Sequence, residues 1–309
     1  MVNLPKPATE PTMYFIGVTT GQSSIMRIFP IWAKALGIQA TLKGIDIAIH
    51  APAEDYREVM EFIRSDPLSM GALVTTHKID LLNACRDLFD ELDPYAQRFG
   101  EISSISKWEG KVRGHAKDPI SVGLALDSFL PAEYWREHPQ AQACVLGAGG
   151  SALAVCAYLA HEKHGDAVPA RIQMNNRSVQ RLAEAVHLLG DSRVQMSFNL
   201  CPVPEWNDRI VESLPEGSLI INATGMGKDR PGSPVTDRCR FPKNSVIWEF
   251  NYRGSLEFMH QAEAQQGASS LRIENGWTYF IHGWTQVIAE VFHTAISGDR
   301  LAMCDQLAR

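Results

Sequence analysis

A chain of 309 residues in which 45% of side chains are hydrophobic carries enough apolar surface for two cores, so two α/β domains are the starting expectation. Its net charge of −6 is spread without basic blocks, which argues against a nucleic-acid or anionic-membrane partner and for a small-molecule ligand. No apolar run reaches the roughly 18 residues of a membrane span, the start with Pro5, Pro7 and Pro11 reads as a tail rather than a signal peptide, and Cys85, Cys144, Cys156, Cys201, Cys239 and Cys304 lie scattered without C-x-x-C or clustered His, so a cytoplasmic protein with neither a disulfide framework nor a metal site is expected.

In chain order, residues 13–19, 40–47 and 71–74 read as strands separated by helices near 24–35 and 53–64. Short apolar runs alternating with amphipathic stretches are the pattern of β-α-β units around a parallel sheet, here one open α/β unit. Residues 79–88 read as a helix opened by Lys78, and 124–140, helical at first and polar at its end, as a bridge. The alternation is then cleaner, with strands at 143–146, 171–174, 195–198, 218–222, 245–248 and 269–273. The segment 277–294 is apolar on several sides and is expected to pack between layers. The expected division is a first domain over 1–123, to which 277–309 returns, and a second over 124–276.

The strand at 143–146 runs directly into Gly147-Ala148-Gly149-Gly150-Ser151-Ala152 and then into a helical pattern. A G-x-G-x-x-A turn in that context lets backbone approach a pyrophosphate, while the helix start offers unpaired N–H groups. The competing reading is a tight turn in which the glycines only relieve crowding. At the end of the next strand an NAD site would carry Asp or Glu for the ribose hydroxyls, but this chain has Asn175-Asn176-Arg177-Ser178, with Arg181 one turn later. Two guanidiniums suit a 2′-phosphate, which favours NADP over NAD. The alternative is that Ser178 caps a helix and both arginines are solvated.

Taken together, this loop, the Asn176-Arg177-Ser178 turn with Arg181, and Asn222-Ala223-Thr224-Gly225-Met226 resemble the shikimate/quinate dehydrogenase family over most of the chain. The resemblance implies an N-terminal open α/β substrate domain, a Rossmann-like doubly wound nucleotide-binding domain, and a returning C-terminal helix. It puts Thr224, Gly225 and Met226 beside the nicotinamide. Val74-Thr75-Thr76-His77-Lys78 looks like the family's Asn-Val-Thr-x-Pro-x-Lys segment, and Gly114-His115-Ala116-Lys117-Asp118 like its Gly-x-Asn-Thr-Asp segment, so Lys78 and Asp118 are the implied catalytic pair. Gly100-Glu101-Ile102-Ser103-Ser104, between them, looks like Gly-Ala-Val-Asn-Thr. Alcohol oxidation needs a group that takes the hydroxyl proton while hydride leaves; a lysine oriented by an aspartate suits both directions.

The departures gather around the substrate. The family's Ser-x-Ser-Pro aligns with Ser23-Ser24-Ile25-Met26, so Ser23 persists and Arg27 offers itself as a carboxylate contact, with helix capping as the alternative for both serines. The lysine segment is one residue short around Thr75, Ser103 stands for an Asn, and Ala116-Lys117 replaces Asn-Thr. Asp-x-x-Tyr becomes Glu249-Phe250-Asn251-Tyr252, which leaves Tyr252 as a site neighbour, and His282-Gly283 falls near the family's Gln. Changes in hydrogen-bonding residues shift specificity more than reaction type, so the expected activity is hydride transfer between NADP(H) and a hydroxylated, cyclic carboxylate by a monomer or homodimer, with the substrate not necessarily shikimate. The competing functions are a methylene-tetrahydrofolate dehydrogenase-like enzyme and a non-catalytic nucleotide-binding regulator.

Overall fold

β1 (Thr12–Gly17) is buried at every residue, the mark of a central strand, and pairs in parallel with β2 (Thr41–Asp46) on one side and β3 (Ser69–Val74) on the other. The connecting helices α1 (Ile25–Leu36) and α2 (Ala53–Ser65) turn inward at helical spacing, through Ile25, Ile28, Phe29 and Trp32 and through Tyr56, Val59, Met60 and Ile63. Each such buried side chain contributes roughly 1.5–3 kcal/mol of transfer free energy.

After α3 (Lys78–Cys85) the chain makes β4 (Glu91–Leu92) and α4 (Pro94–Phe99), and then the sheet changes character. β5 (Ser104–Trp108) joins β3 antiparallel and β6 (Lys111–His115) joins β5 antiparallel, giving the order β2-β1-β3-β5-β6-β4. The sequence reading found only β1, β2 and β3 of this sheet. The hairpin turns on Glu109 (φ 51°) and Gly110 (φ 77°), two left-handed residues in succession, whose twist matches that of the flanking strands.

The helices α5 (Asp118–Phe129) and α6 (Tyr134–Glu137) lead to a sheet that is parallel throughout. Its strands are β7 (Ala143–Leu146), β8 (Ile172–Asn176), β9 (Met196–Leu200), β10 (Leu219–Asn222), β11 (Val246–Glu249) and β12 (Arg272–Glu274). Helices α7 (Gly150–Leu159), α8 (Val179–Leu189), α9 (Pro204–Glu212), α10 (Glu257–Glu263) and α11 (Gln266–Ser269) connect them. The order β9-β8-β7-β10-β11-β12 is the doubly wound, Rossmann-like one, in which the winding reverses between β7 and β10. That reversal sets Leu146 opposite Asn222, so the loops leaving β7 and β10 are neighbours.

The chain ends in α12 (Trp277–Val291) and α13 (Gly298–Ala308). It divides into two compact units, Met1–Asp118 with Gly283–Arg309, and Pro119–His282. Trp32 of α1 donates to the Cys304 carbonyl at 2.7 Å, tying α13 into the first unit. The structure, a computed structural model, describes residues 2–228 and 230–309; Met1 and Asp229 lie outside it. Among the described residues all six cysteines are unbridged and buried, and no helix is long and apolar enough to cross a membrane.

Candidate active site

In the first unit the ends of parallel strands carry the polar residues of interest. β3 stops at Val74, where the Thr75 amide still bonds the Ile16 carbonyl at 3.0 Å. The His77 amide then reaches back to the Thr75 carbonyl at 2.5 Å, and Thr76 between them adopts a φ of 59°. This tight turn leads into α3, which starts at Lys78.

The Lys78 ammonium is ion-paired to the Asp118 carboxylate, and both side chains are largely buried. Asp118 opens α5, where a carboxylate favours the positive end of the helix dipole. Ser103 braces the two segments. Its carbonyl takes the Val74 amide at 2.9 Å, its amide bonds the His115 carbonyl at 2.9 Å, and its hydroxyl accepts the Lys117 amide at 2.8 Å. Lys117 turns to Glu290 of α12, Nζ to Oε2 2.5 Å, and His115 Nε2 lies 3.2 Å from the other Glu290 oxygen. Burial, ahead of the pull of Glu290, leaves His115 less basic than an ordinary histidine.

Ser23 is half-buried, and its amide closes a short turn on the Thr20 carbonyl at 3.0 Å. Ser24 occupies the cap position of α1 without a capping hydrogen bond from its side chain. Arg27 is exposed and donates to the Ala308 carbonyl at 3.5 Å.

In the second unit Gly147 has a φ of 125°, and a Cβ there would stand 2.6 Å from the Ala223 carbonyl oxygen, so the loops leaving β7 and β10 touch only because this residue is glycine. Gly149 precedes α7 with no atom within 4 Å of where its Cβ would lie, and the helix has no side-chain cap. Ala148 is buried, Gly150 begins the helix, and the Ser151 hydroxyl lies 3.3 Å from that of Tyr279. The start of α7 thus lacks a side-chain cap and has open space beside Gly149, which fits a pyrophosphate.

At the end of β8 the Asn176 side chain accepts the Ser178 amide at 2.8 Å, and Ser178 caps α8 by accepting the Arg181 amide at 3.3 Å. Arg181 also pairs with Glu184 at 2.9 Å, and Arg177 is exposed. The capping alternative for Ser178 therefore holds, without removing either guanidinium from the surface beside β8.

The loop after β10 is ordered by a network the sequence reading did not assign. Asn222 accepts from the Thr224 amide and hydroxyl, at 3.1 and 2.7 Å, and the Thr224 hydroxyl accepts the Met226 amide at 3.1 Å. Beneath them Glu249 is fully buried and accepts from Asn222 Nδ2 at 2.8 Å and from the Asn251 amide and Nδ2 at 2.8 and 2.7 Å. Burial pushes its carboxyl up to about 7, against the lowering effect of those hydrogen bonds. Asn251 Nδ2 also bonds the Met226 carbonyl at 2.9 Å, so one carboxylate orients two amides that hold the loop. Gly225 has a φ of 73°. Tyr252 packs against Trp277 and Phe280 at ring separations of 5.7 and 4.5 Å, and His282 is buried on α12.

No family model matches the chain. A curated relative, the shikimate dehydrogenase (NADP(+)) of Paramagnetospirillum magneticum, is 30% identical over 241 residues, 77% of each chain. Among solved structures, a shikimate dehydrogenase from Aquifex aeolicus superposes with a TM-score of 0.74 at 18% identity over the whole of both chains. A quinate dehydrogenase from Corynebacterium glutamicum, in complex with NAD, gives 0.73 at 17% identity over 96% of this chain and 98% of that one. These two likenesses concern the fold.

Proposed function

The chain belongs to the shikimate dehydrogenase family, and on that premise we propose that it moves hydride between NADP(H) and a hydroxylated cyclic carboxylate. The observation that carries the reading is the largely buried Lys78–Asp118 ion pair, delivered by the shortened turn after β3 and by the start of α5.

NADP(H), when bound, supplies or takes the hydride. Gly147, Ala148, Gly149, Gly150 and Ser151 would hold its pyrophosphate, Asn176, Arg177, Ser178 and Arg181 its 2′-phosphorylated ribose, and Thr224, Gly225 and Met226 its nicotinamide end. The open surface at Gly149 and the uncapped start of α7 support this. The absence of an acid after β8 favours NADP over NAD.

Lys78 exchanges a proton with the substrate oxygen, giving it to a carbonyl in reduction and taking it from a hydroxyl in oxidation. Asp118 holds and orients the ammonium. Ser23, Thr75, Ser103, Tyr252 and His282 are the proposed substrate contacts, and Ser103 acts in part through its hold on the Lys117 amide. Residues 1–123 with 277–309 form the substrate domain and 124–276 the NADP domain of a cytoplasmic monomer or homodimer. Ala116, Lys117 and His282 replace hydrogen-bonding side chains of the family pattern, which points to a substrate related to shikimate or quinate and not necessarily either.

The test is nicotinamide absorbance with shikimate, quinate and related hydroxyacids. Lys78→Ala and Asp118→Asn are each expected to lose turnover by roughly 100- to 10,000-fold with NADP affinity retained. Near-normal rates in both variants would remove the pair from the mechanism.

A further inference from the structure

Parallel pairing sets Asn222, the last residue of β10, opposite Glu249, the last of β11. Both are fully buried and their side chains meet, Asn222 Nδ2 donating to Glu249 Oε2 at 2.8 Å. An ionised carboxylate only accepts hydrogen bonds, so it takes the amino side of the Asn222 amide and leaves the carbonyl side for the Thr224 amide and hydroxyl. The Thr224 hydroxyl in turn accepts the Met226 amide. The Met226 carbonyl accepts from Asn251 Nδ2 at 2.9 Å, and that same group bonds Glu249 Oε1 at 2.7 Å. Met226 is thus tied at both its amide and its carbonyl to side chains whose direction Glu249 sets. Gly225, just before it, has a φ of 73° and no atom within 4 Å of where a Cβ would lie, so the turn is pinned on both sides of an open apex.

We propose that Glu249 is a positioning residue for hydride transfer: through Asn222 and Asn251 it fixes the Thr224–Met226 turn against the nicotinamide end of the cofactor. This role rests on the assignment of that turn to the nicotinamide made above. Reacting atoms must come within about 3–3.5 Å, and a displacement of about 1 Å costs roughly 100-fold in rate, so the aim of the turn matters beyond its share of affinity. In Glu249→Gln one oxygen gives way to an amino group. With the remaining oxygen toward Asn251, that amino group confronts Asn222 Nδ2, and nothing then holds the Asn222 oxygen toward Thr224. The disturbance passes along the turn to Met226. Arg177, Ser178 and Arg181 follow β8, which β7 separates from β10, so the 2′-phosphate end is left as it was.

The test compares two ligands by calorimetry on the full-length protein: NADPH, and adenosine 2′,5′-bisphosphate, which lacks the nicotinamide end. In Glu249→Gln the Kd for NADPH is expected to rise about tenfold and that for the bisphosphate to stay within about twofold of wild type. At saturating NADPH, kcat is expected to fall roughly 10- to 100-fold. Asn251→Ala keeps the carboxylate but removes the bridge to the Met226 carbonyl; it is expected to show the same selective loss and keeps the test open if Glu249→Gln does not fold. NADPH bound as tightly as by wild type in the folded variant, or a loss shared equally by the two ligands, overturns the proposal. Amide hydrogen exchange reads the turn without cofactor: at Thr224 and Met226 it is expected to quicken about tenfold or more in Glu249→Gln, and rates matching the wild type overturn the proposal as well. A wild-type protein that binds neither ligand counts against the cofactor reading alone, and the exchange rates then decide whether Glu249 holds the turn.

Discussion

Replacing Glu249 by glutamine separates the two effects of its carboxylate. Glu249 is fully buried, and burial raises its carboxyl from 4.5 to about 7, with the bonds from Asn251 and Asn222 acting the other way. Between those pH values the folded protein holds a proton that the unfolded chain has released. The stability this group contributes is therefore fully present below about pH 4.5 and is lost as pH rises through 7, a change of about 3 kcal/mol. Glutamine does not titrate, but its amide would face the Asn222 amide donor, a pH-independent cost of about 1–3 kcal/mol. Urea denaturation of wild type and Glu249→Gln at pH 5 and pH 8.5 reads both. The advantage of the wild type is expected to shrink by about 2–3 kcal/mol at the higher pH. An equal difference at the two pH values would refute the assignment of a neutral-range carboxyl to this position.

Two further outcomes follow from the second unit. Gly147→Ala combines a φ of 125° with a Cβ 2.6 Å from the Ala223 carbonyl oxygen. It is expected to cost about 2–5 kcal/mol and to lower the thermal midpoint by roughly 5–15 °C; a midpoint matching the wild type would contradict the close approach of the two loops. Arg177→Ala is expected to raise the KM for NADP about tenfold and leave that for NAD nearly unchanged, since a lost guanidinium–phosphate contact contributes about 1.4 kcal/mol or more. Equal use of NADP and NAD by the unaltered protein would overturn the 2′-phosphate reading.

The second unit was the more legible in sequence because its central strands, Ala-Cys-Val-Leu, Leu-Ile-Ile-Asn and Val-Ile-Trp-Glu, are short and mostly apolar. Residues 143–146 match β7 to the residue, and the Gly147–Ser151 turn follows as read. The hairpin β5–β6 was missed because its alternation, Ser-Ile-Ser-Lys-Trp and Lys-Val-Arg-Gly-His, is half polar and its turn is Glu109-Gly110 rather than the Asn-Gly or Asp-Gly pair that signals such a loop. The helix read over 79–88 shortens to α3 and a final tight turn at Arg86–Leu88. Glu249 and Glu290 escaped for a common reason. A single glutamate is by default a solvated one, and only tertiary contacts distinguish a buried carboxylate from the rest.

Thr76 has a wider consequence. A β-branched side chain at a φ of 59° carries a standing penalty of about 1–3 kcal/mol, and it falls two residues before the lysine that the turn aims at Asp118. Glycine or asparagine, which tolerate this region of φ, would relieve that penalty and leave the backbone path into α3 as it is, so residue 76 is a place where stability can be gained without touching the ion pair.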